Sequence, residues 1–284
     1  RRLKEAQRAA RESGYKGAMY PWQSGSNGRE ETQQMHLNPE SGRWLPDNTY
    51  LQRHVNCAIV YNISQYFQIT NDIDFLAFYG AEIIIGVARF WASLASYDSD
   101  LDRYEIKGVM GPDEYHDAYP GADKPGLNNN SYTNFMVMFV MDQALNVQHV
   151  IPEQDWESLR KKLEIEESEL DIWKKMSKRM KIVFHEDGVI SQFEGYENLK
   201  EFDWQGYRKK YGNIQRLDRI LEKEGDSPNN YKLCKQSDVL MLFYLFSAET
   251  LRKMFKRLGY RLDADFVAKN INYYLRRTTN GSSL

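Results

Sequence analysis

The chain has 284 residues, 42% hydrophobic and 13% aromatic, with a formal net charge of -2 at pH 7, enough apolar material for one large core or two modest ones without disulfide or metal staples. Its lysines and arginines are interspersed with acids rather than gathered in a stripe, which excludes the footprint of a nucleic-acid-binding surface. No apolar run approaches the ~20 residues that cross a bilayer and no signal-like segment opens the chain, so neither nucleic acid nor membrane is an expected partner.

In chain order, residues 1–13 read as a helix, with Leu3, Ala6, Ala9 and Ala10 on one side. The stretch from Gly14 to Asp47 does not, because Gly17, Gly25, Gly28 and Gly42 alternate with Pro21, Pro39 and Pro46. A loop this long in a compact domain is usually functional or disordered, and Trp22, His36 and Trp44 argue for order. Leu51, Val55, Ile59 and Ile63 predict a helix over 50–69, and a second runs over 74–97. Residues 104–109 alternate like a strand and lead into Gly111-Pro112. A loop at 117–129 precedes a Met- and Phe-rich helix to about Val147. Pro152 opens a single helix to about Lys181, followed by strand-like 182–184. Residues 188–233 read as mostly irregular, and two helices close the chain, 235–257 with a break near Ser247, and 263–276.

Helices alternating with long loops predict an all-α toroid of helical hairpins. No fixed-period repeat and no linker composition divides it, so residues 1–284 are expected to form a single catalytic domain. The absence of an initiating methionine and of a closing element makes both ends read as cuts through a longer protein. The two cysteines, Cys57 and Cys234, sit in apolar stretches and read as buried small hydrophobes, so a reducing cytoplasm is the default location. The five histidines lack metal-ligand spacing. Asp98-Ser99-Asp100-Leu101-Asp102 begins like a calcium loop, but Arg103 stands where such a loop needs glycine, and no metal is expected.

Three stretches carry chemistry. In Gly111-Pro112-Asp113-Glu114-Tyr115-His116 a forced turn is followed by two acids. They either cap nearby backbone N–H groups or supply a carboxylic acid that protonates a leaving-group oxygen in a partly apolar cleft. On the second reading Tyr115, His116 and Tyr119 form walls suited to sugars. Lys235-Gln236-Ser237-Asp238 precedes the apolar run Val239 to Phe243, placing a lysine at a helix N-terminus, where it opposes the dipole. Either Asp238 or a polyhydroxyl or anionic ligand would compensate it, and Lys and Gln together suit sugar hydroxyls. Thr278 to Ser283 is either a glycine cap or an anion nest. Among the tryptophans, Trp91 has helical apolar spacing and reads as core, whereas Trp22 and Trp44 lie in loops and are better stacking platforms.

Taken together these stretches resemble family 65 of the glycoside hydrolases, the group of maltose, trehalose, kojibiose and nigerose phosphorylases and related glucosidases. The matching pieces are Gly17 to Trp22, Arg53-His54-Val55-Asn56, Arg89-Phe90-Trp91-Ala92, Tyr104 to His116, Asn130 to Asn134 and Lys235 to Asp238, in family order across nearly the whole chain. The resemblance implies an (α/α)6 barrel, incomplete here, with Glu114 as general acid, Lys235 and Gln236 holding the donor glucose, and Gly281, Ser282 and Ser283 binding phosphate. Family phosphorylases commonly carry histidine before that glycine, where this chain has Asn280. The implied reaction is inverting phosphorolysis of an α-linked glucose disaccharide to β-glucose 1-phosphate, with no cofactor and inorganic phosphate as co-substrate. No carboxylate lies between Thr278 and Leu284 to serve as a hydrolytic base, which favours phosphate over water. An inverting α-glucoside hydrolase and a non-catalytic carbohydrate-binding domain are the alternatives. His36, Asn38 and Glu40, on the loop from His36 to Pro46, are the candidate acceptor contacts, with Trp22 as a further sugar contact. Family members often form homodimers. Tyr211 to Ile214 and Asp226 to Asn229 are similar to a subset often fused to, or encoded beside, a β-phosphoglucomutase.

Overall fold

The computed structural model describes residues 2–279. It is predominantly helical, as expected: α1 (Leu3–Glu12), hairpin strands β1 (Met35–Asn38) and β2 (Arg43–Pro46), α2 (Val55–Thr70), α3 (Ile73–Phe75), α4 (Ala81–Leu94), strands β3 (Ser96–Asp98) and β4 (Arg103–Glu105), α5 (Ser131–Val150), α6 (Glu153–Leu163), α7 (Glu167–Arg179), α8 (Trp204–Tyr211), α9 (Leu217–Lys223), α10 (Asp238–Leu245), α11 (Ala248–Arg257) and α12 (Phe266–Leu275). The chain resolves into two compact units.

The first unit holds residues 1–31, 53–106 and 133–181. Its central element is α4, on which Ala81, Ile84, Ile85, Val87, Ala88, Phe90 and Trp91 are all buried. A helix apolar on nearly every face must be enclosed by neighbours. Gly86 lets the chain at Ala18 cross it closely: the Ala18 N–H donates to the Gly86 carbonyl at 2.8 Å. Gly17, at φ 71°, makes that crossing, since a Cβ there would lie 2.1 Å from the same carbonyl. Between α3 and α4 the helix widens into a π turn, Leu76–Gly80. The expected single helix over 152–181 is two, because Glu164 takes a left-handed conformation (φ 51°, ψ 52°) that ends α6 before α7 starts. Arg89 spans that break, its Nε and Nη2 on the Glu169 carboxylate at 2.7 and 2.8 Å and Nη2 also on the Leu163 carbonyl.

The second unit holds residues 32–52, 107–132 and 182–284. The stretch expected as loop contains the β1–β2 hairpin, paired from Met35↔Pro46 to Asn38↔Arg43, and its turn closes on Gly42 at φ 72°. The hairpin is pinned to α9: the buried Asn38 amide donates to the Arg219 carbonyl (2.9 Å) and to Glu222 (2.6 Å), and Arg43 Nε reaches Glu222 at 2.5 Å. Residues 188–233, expected to be irregular, contain α8 and α9. A small core under them brings together Tyr115, Phe202, Ile214, Leu217, Ile220, Leu221 and Leu233. At about 1.5–3 kcal/mol for each fully buried large apolar side chain, this core fixes the segment around Tyr115. The strand expected at 104–109 is confined to Arg103–Glu105, and beyond it Val109 exchanges backbone hydrogen bonds with Leu127. Ser247 caps α11, accepting from the Thr250 N–H at 3.1 Å, where a break was expected.

Candidate active site

Glu114 stands in the left-handed region at φ 65°, uncommon for a side chain with a Cβ. Backbone strain of this kind costs about 1–3 kcal/mol and persists only where surrounding structure enforces it. The enforcement comes from the segment 231–238. Asp113 Oδ1 accepts the Lys235 backbone N–H at 2.6 Å, and the Pro112 carbonyl accepts from the Gln236 amide at 2.8 Å. Glu114 Oε2 accepts from Lys235 Nζ at 2.6 Å, while Gln52 Nε2 approaches Oε1 at 3.4 Å. The Glu114 side chain is 30% exposed, so the carboxyl is supported from below and open on one side.

Lys235 lies ahead of the Ser237 cap of α10, and its ammonium is met by Glu114 rather than by Asp238. Asp238 instead lies fully buried, accepting from the Asn130 amide at 2.6 Å and from the Asp113 backbone N–H, with its Oδ1 unpartnered. Burial, and then the charge of Asp113, pushes the Asp238 carboxyl well above the usual carboxylate range. Its oxygen fills the space beside Gly111, where a Cβ would sit 2.0 Å from Oδ2. Burial likewise pushes up the Tyr115 hydroxyl, which donates to the Gln215 carbonyl at 2.7 Å.

Glu114 and Lys235 face a cavity of about 490 Å³ within the second unit, walled also by His36, Trp44, Tyr115 and Arg219. That volume lies in the range of small-molecule sites, and Trp44, 64% exposed, offers a stacking face. Three further acids line it, each engaged: Asp47 with Thr49, Gln33 and His36, Asp117 with the Asn48 and Asn229 amides, and Asp218 with Arg216. Thr49 and Gln33 hold Asp47 below the usual carboxylate range against its own desolvation, with a smaller contribution from His36. Among the described residues, Arg219 is a cavity cation whose guanidinium has no hydrogen bond or ion pair.

Of the residues expected at the site, Glu114, Lys235 and His36 come together on this cavity. Asn38 does not line it, its amide being committed to α9 at the base of the hairpin. Glu40 lies at the hairpin turn beside Lys223 at 3.3 Å, also off the cavity. Gln236 spends its amide donor on Pro112. Trp22 belongs to the first unit, where its ring packs 5.3 Å from that of His54. Gly281, Ser282 and Ser283 lie outside the described residues; the chain up to Thr279 runs beside Cys234, whose carbonyl accepts the Thr279 N–H at 2.9 Å. His116 and Tyr119, expected as sugar-facing walls, are elsewhere: His116 is buried behind the turn, and the Tyr119 hydroxyl donates to the Glu194 carbonyl. Sequence reasoning missed Arg219, which sits in a stretch read as irregular, and the inward roles of Asp113 and Asp238. Among the described residues no group of three or more His, Cys, Asp or Glu is placed to hold a metal, and no helix is long and apolar enough to cross a membrane.

Comparison with known proteins gives this geometry a family. All of residues 1–284 match the model of the glycosyl hydrolase family 65 central catalytic domain. An uncharacterized glycosyl hydrolase of Mycobacterium tuberculosis is 51% identical over the whole chain, which covers 21% of that protein. The trehalose 6-phosphate phosphorylase of Lactococcus lactis is 42% identical over 282 residues, 99% of this chain and 35% of the relative. The kojibiose phosphorylase of Halothermothrix orenii is 35% identical over 291 aligned positions, again 99% of this chain and 34% of the relative. The chain thus spans between about a fifth and about a third of the length of these relatives. A solved structure described as "Putative kojibiose phosphorylase from human microbiome" superposes with a TM-score of 0.74 over 99% of this chain and 36% of its own, at 24% identity. At that identity the likeness carries the fold, and it agrees with the expected helical class and incomplete (α/α)6 barrel. The chain belongs to glycosyl hydrolase family 65, matching its central catalytic domain from end to end.

Proposed function

We propose that the protein containing this chain cleaves an α-linked glucose disaccharide by inverting phosphorolysis, with Glu114 as proton donor. The observation that carries the reading is the convergence of Glu114, half-open and held in a strained conformation, with Lys235 on one cavity of disaccharide size. The names of two relatives, trehalose 6-phosphate phosphorylase and kojibiose phosphorylase, support phosphate as the attacking group.

In the reaction Glu114 gives its proton to the glycosidic oxygen as the C1–O bond breaks, and a phosphate oxygen bonds to C1 from the opposite face. The products are β-glucose 1-phosphate and an acceptor sugar carrying the new hydroxyl, with Glu114 left as carboxylate. Phosphate arrives as an anion, so one protein carboxyl suffices, whereas hydrolysis with inversion requires a second as base. The other cavity acids are each held by neighbouring donors, which supports the phosphate reading. Because an acid works in its protonated form, Lys235 must exchange its contact with Glu114 for the glucose hydroxyls in the reacting complex. A homodimer and a linked β-phosphoglucomutase, which would consume β-glucose 1-phosphate, fit the same reading. The test is to incubate the full-length protein with maltose, trehalose, trehalose 6-phosphate, kojibiose and nigerose, with and without phosphate. β-Glucose 1-phosphate formed only with phosphate supports the proposal; equal release of glucose in both conditions assigns water instead.

A further inference from the structure

Asp113 and Glu114, adjacent in sequence, grip Lys235 at opposite ends: Asp113 Oδ1 takes its backbone N–H at 2.6 Å, and Glu114 Oε2 takes its ammonium at 2.6 Å. The second oxygen of Asp113 faces His116 Nδ1 at 2.7 Å, and His116 Nε2 faces the Tyr231 carbonyl at 3.0 Å. A carbonyl oxygen accepts and cannot donate, so Nε2 carries a hydrogen. Nδ1 and Oδ2 then require one more proton between them, because two lone pairs at 2.7 Å repel. Asp113 and His116 side chains are 2% and 1% exposed, and the imidazole is enclosed by the rings of Phe193 (5.2 Å) and Tyr196 (5.7 Å). Neither side chain is open to the cavity, and neither is among its lining residues.

We propose that Asp113 and His116 are positioning residues for the proton-transfer step: together they lock the 111–116 turn to the 231–235 segment and thereby fix the backbone from which the Glu114 carboxyl reaches the cavity. The inference rests on the assignment of Glu114 as proton donor. The pair touches no substrate and acts through the two residues it holds. Its chemistry distinguishes geometry from charge. In Asp113→Asn the amide oxygen still accepts the Lys235 N–H, and the amide nitrogen donates to Nδ1 of a neutral imidazole whose Nε2 still donates to Tyr231. Every hydrogen bond survives, and only a charge and a proton are lost. Asp113→Ala loses both contacts.

The experiment compares the full-length wild type, Asp113→Asn and Asp113→Ala on the disaccharide and on α-glucosyl fluoride, each with phosphate. Fluoride leaves as an anion and needs no proton donor. A misplacement of about 1 Å costs on the order of 100-fold, so Asp113→Ala is expected to lose about that in kcat on the disaccharide and less than about fivefold on the fluoride. Asp113→Asn is expected within about threefold of wild type on both. Equal losses on the two substrates for Asp113→Ala, or an Asp113→Asn as impaired on the disaccharide as Asp113→Ala, overturn the proposal. Should Asp113→Ala not fold, the isosteric variant decides alone: a loss above about tenfold on the disaccharide contradicts a purely positional role. Full disaccharide turnover by Glu114→Gln would instead remove the underlying assignment of the proton donor, a separate outcome.

Discussion

The ammonium of Lys235 lies 2.6 Å from Glu114 Oε2, with the lysine side chain 10% and the glutamate side chain 30% exposed. An ion pair is the arrangement of an ionised carboxylate, whereas proton donation requires the acid. Substrate binding should therefore be accompanied by uptake of about one proton per site, by linkage between protonation and binding. Titration calorimetry of a non-cleavable disaccharide analogue, in buffers of different ionisation enthalpy, reads that number directly. Binding enthalpies independent of the buffer would show that Glu114 does not change state on binding.

Asp238 makes a prediction about stability. Its carboxyl is raised by burial and by Asp113, so above the ordinary carboxylate range the folded chain keeps a proton that the unfolded chain releases. The folded state then binds more protons, and stability falls as pH rises, with no contribution below the unfolded value. Asp238→Asn resembles the protonated acid and keeps an oxygen for Asn130 and the Asp113 N–H. Its melting temperature should exceed the wild type's at pH 8 and converge with it near pH 4. A lower melting temperature at both pH values would mean that the buried group is ionised.

Gly111 is required by contact rather than by its dihedral angle. A Cβ there would meet Asp238 Oδ2 at 2.0 Å and Asn130 Nδ2 at 2.4 Å. Overpacking of this kind typically costs about 1–3 kcal/mol. Gly111→Ala should lose that much in urea unfolding, and Gly111→Ala combined with Asp238→Ala should recover part of it. Simple additivity of the two losses would place the strain elsewhere.

Arg219 bears on the acceptor. It lines the cavity without a hydrogen bond or ion pair among the described residues. A hydrogen bond from a charged group contributes about 1.5–3 kcal/mol, so Arg219→Ala should raise the acceptor KM about 10- to 100-fold in the synthetic direction. The KM for β-glucose 1-phosphate should be little changed. An effect on the donor KM alone would move Arg219 to the other side of the site.

Much of this architecture was legible in the sequence, unevenly. The long helices α2 and α4 announced themselves by apolar spacing and α5 by its richness in Met and Phe, and Trp91 is core as its neighbours implied. The β1–β2 hairpin was not, because its four-residue strands offer too little alternation to register among the surrounding glycines and prolines. The break between α6 and α7 was hidden because Glu164 is a glutamate, a residue that gives no hint of a left-handed backbone. At the site, Glu114 and Lys235 were found as motifs, but their contact spans 121 residues of sequence and belongs to tertiary structure alone. The same holds for Asn38, a suitable sugar ligand by residue type whose amide is instead used by α9.

The central claim is that Glu114 donates the proton, and the most direct test is a substrate that needs none. The rate of phosphate-dependent β-glucose 1-phosphate formation should be measured for full-length wild type and Glu114→Gln on the preferred disaccharide and on α-glucosyl fluoride. The account predicts a loss on the order of 100-fold or more for the variant on the disaccharide, with turnover of the fluoride close to that of the wild type. Comparable losses on both substrates, or disaccharide turnover that survives the substitution, would contradict it.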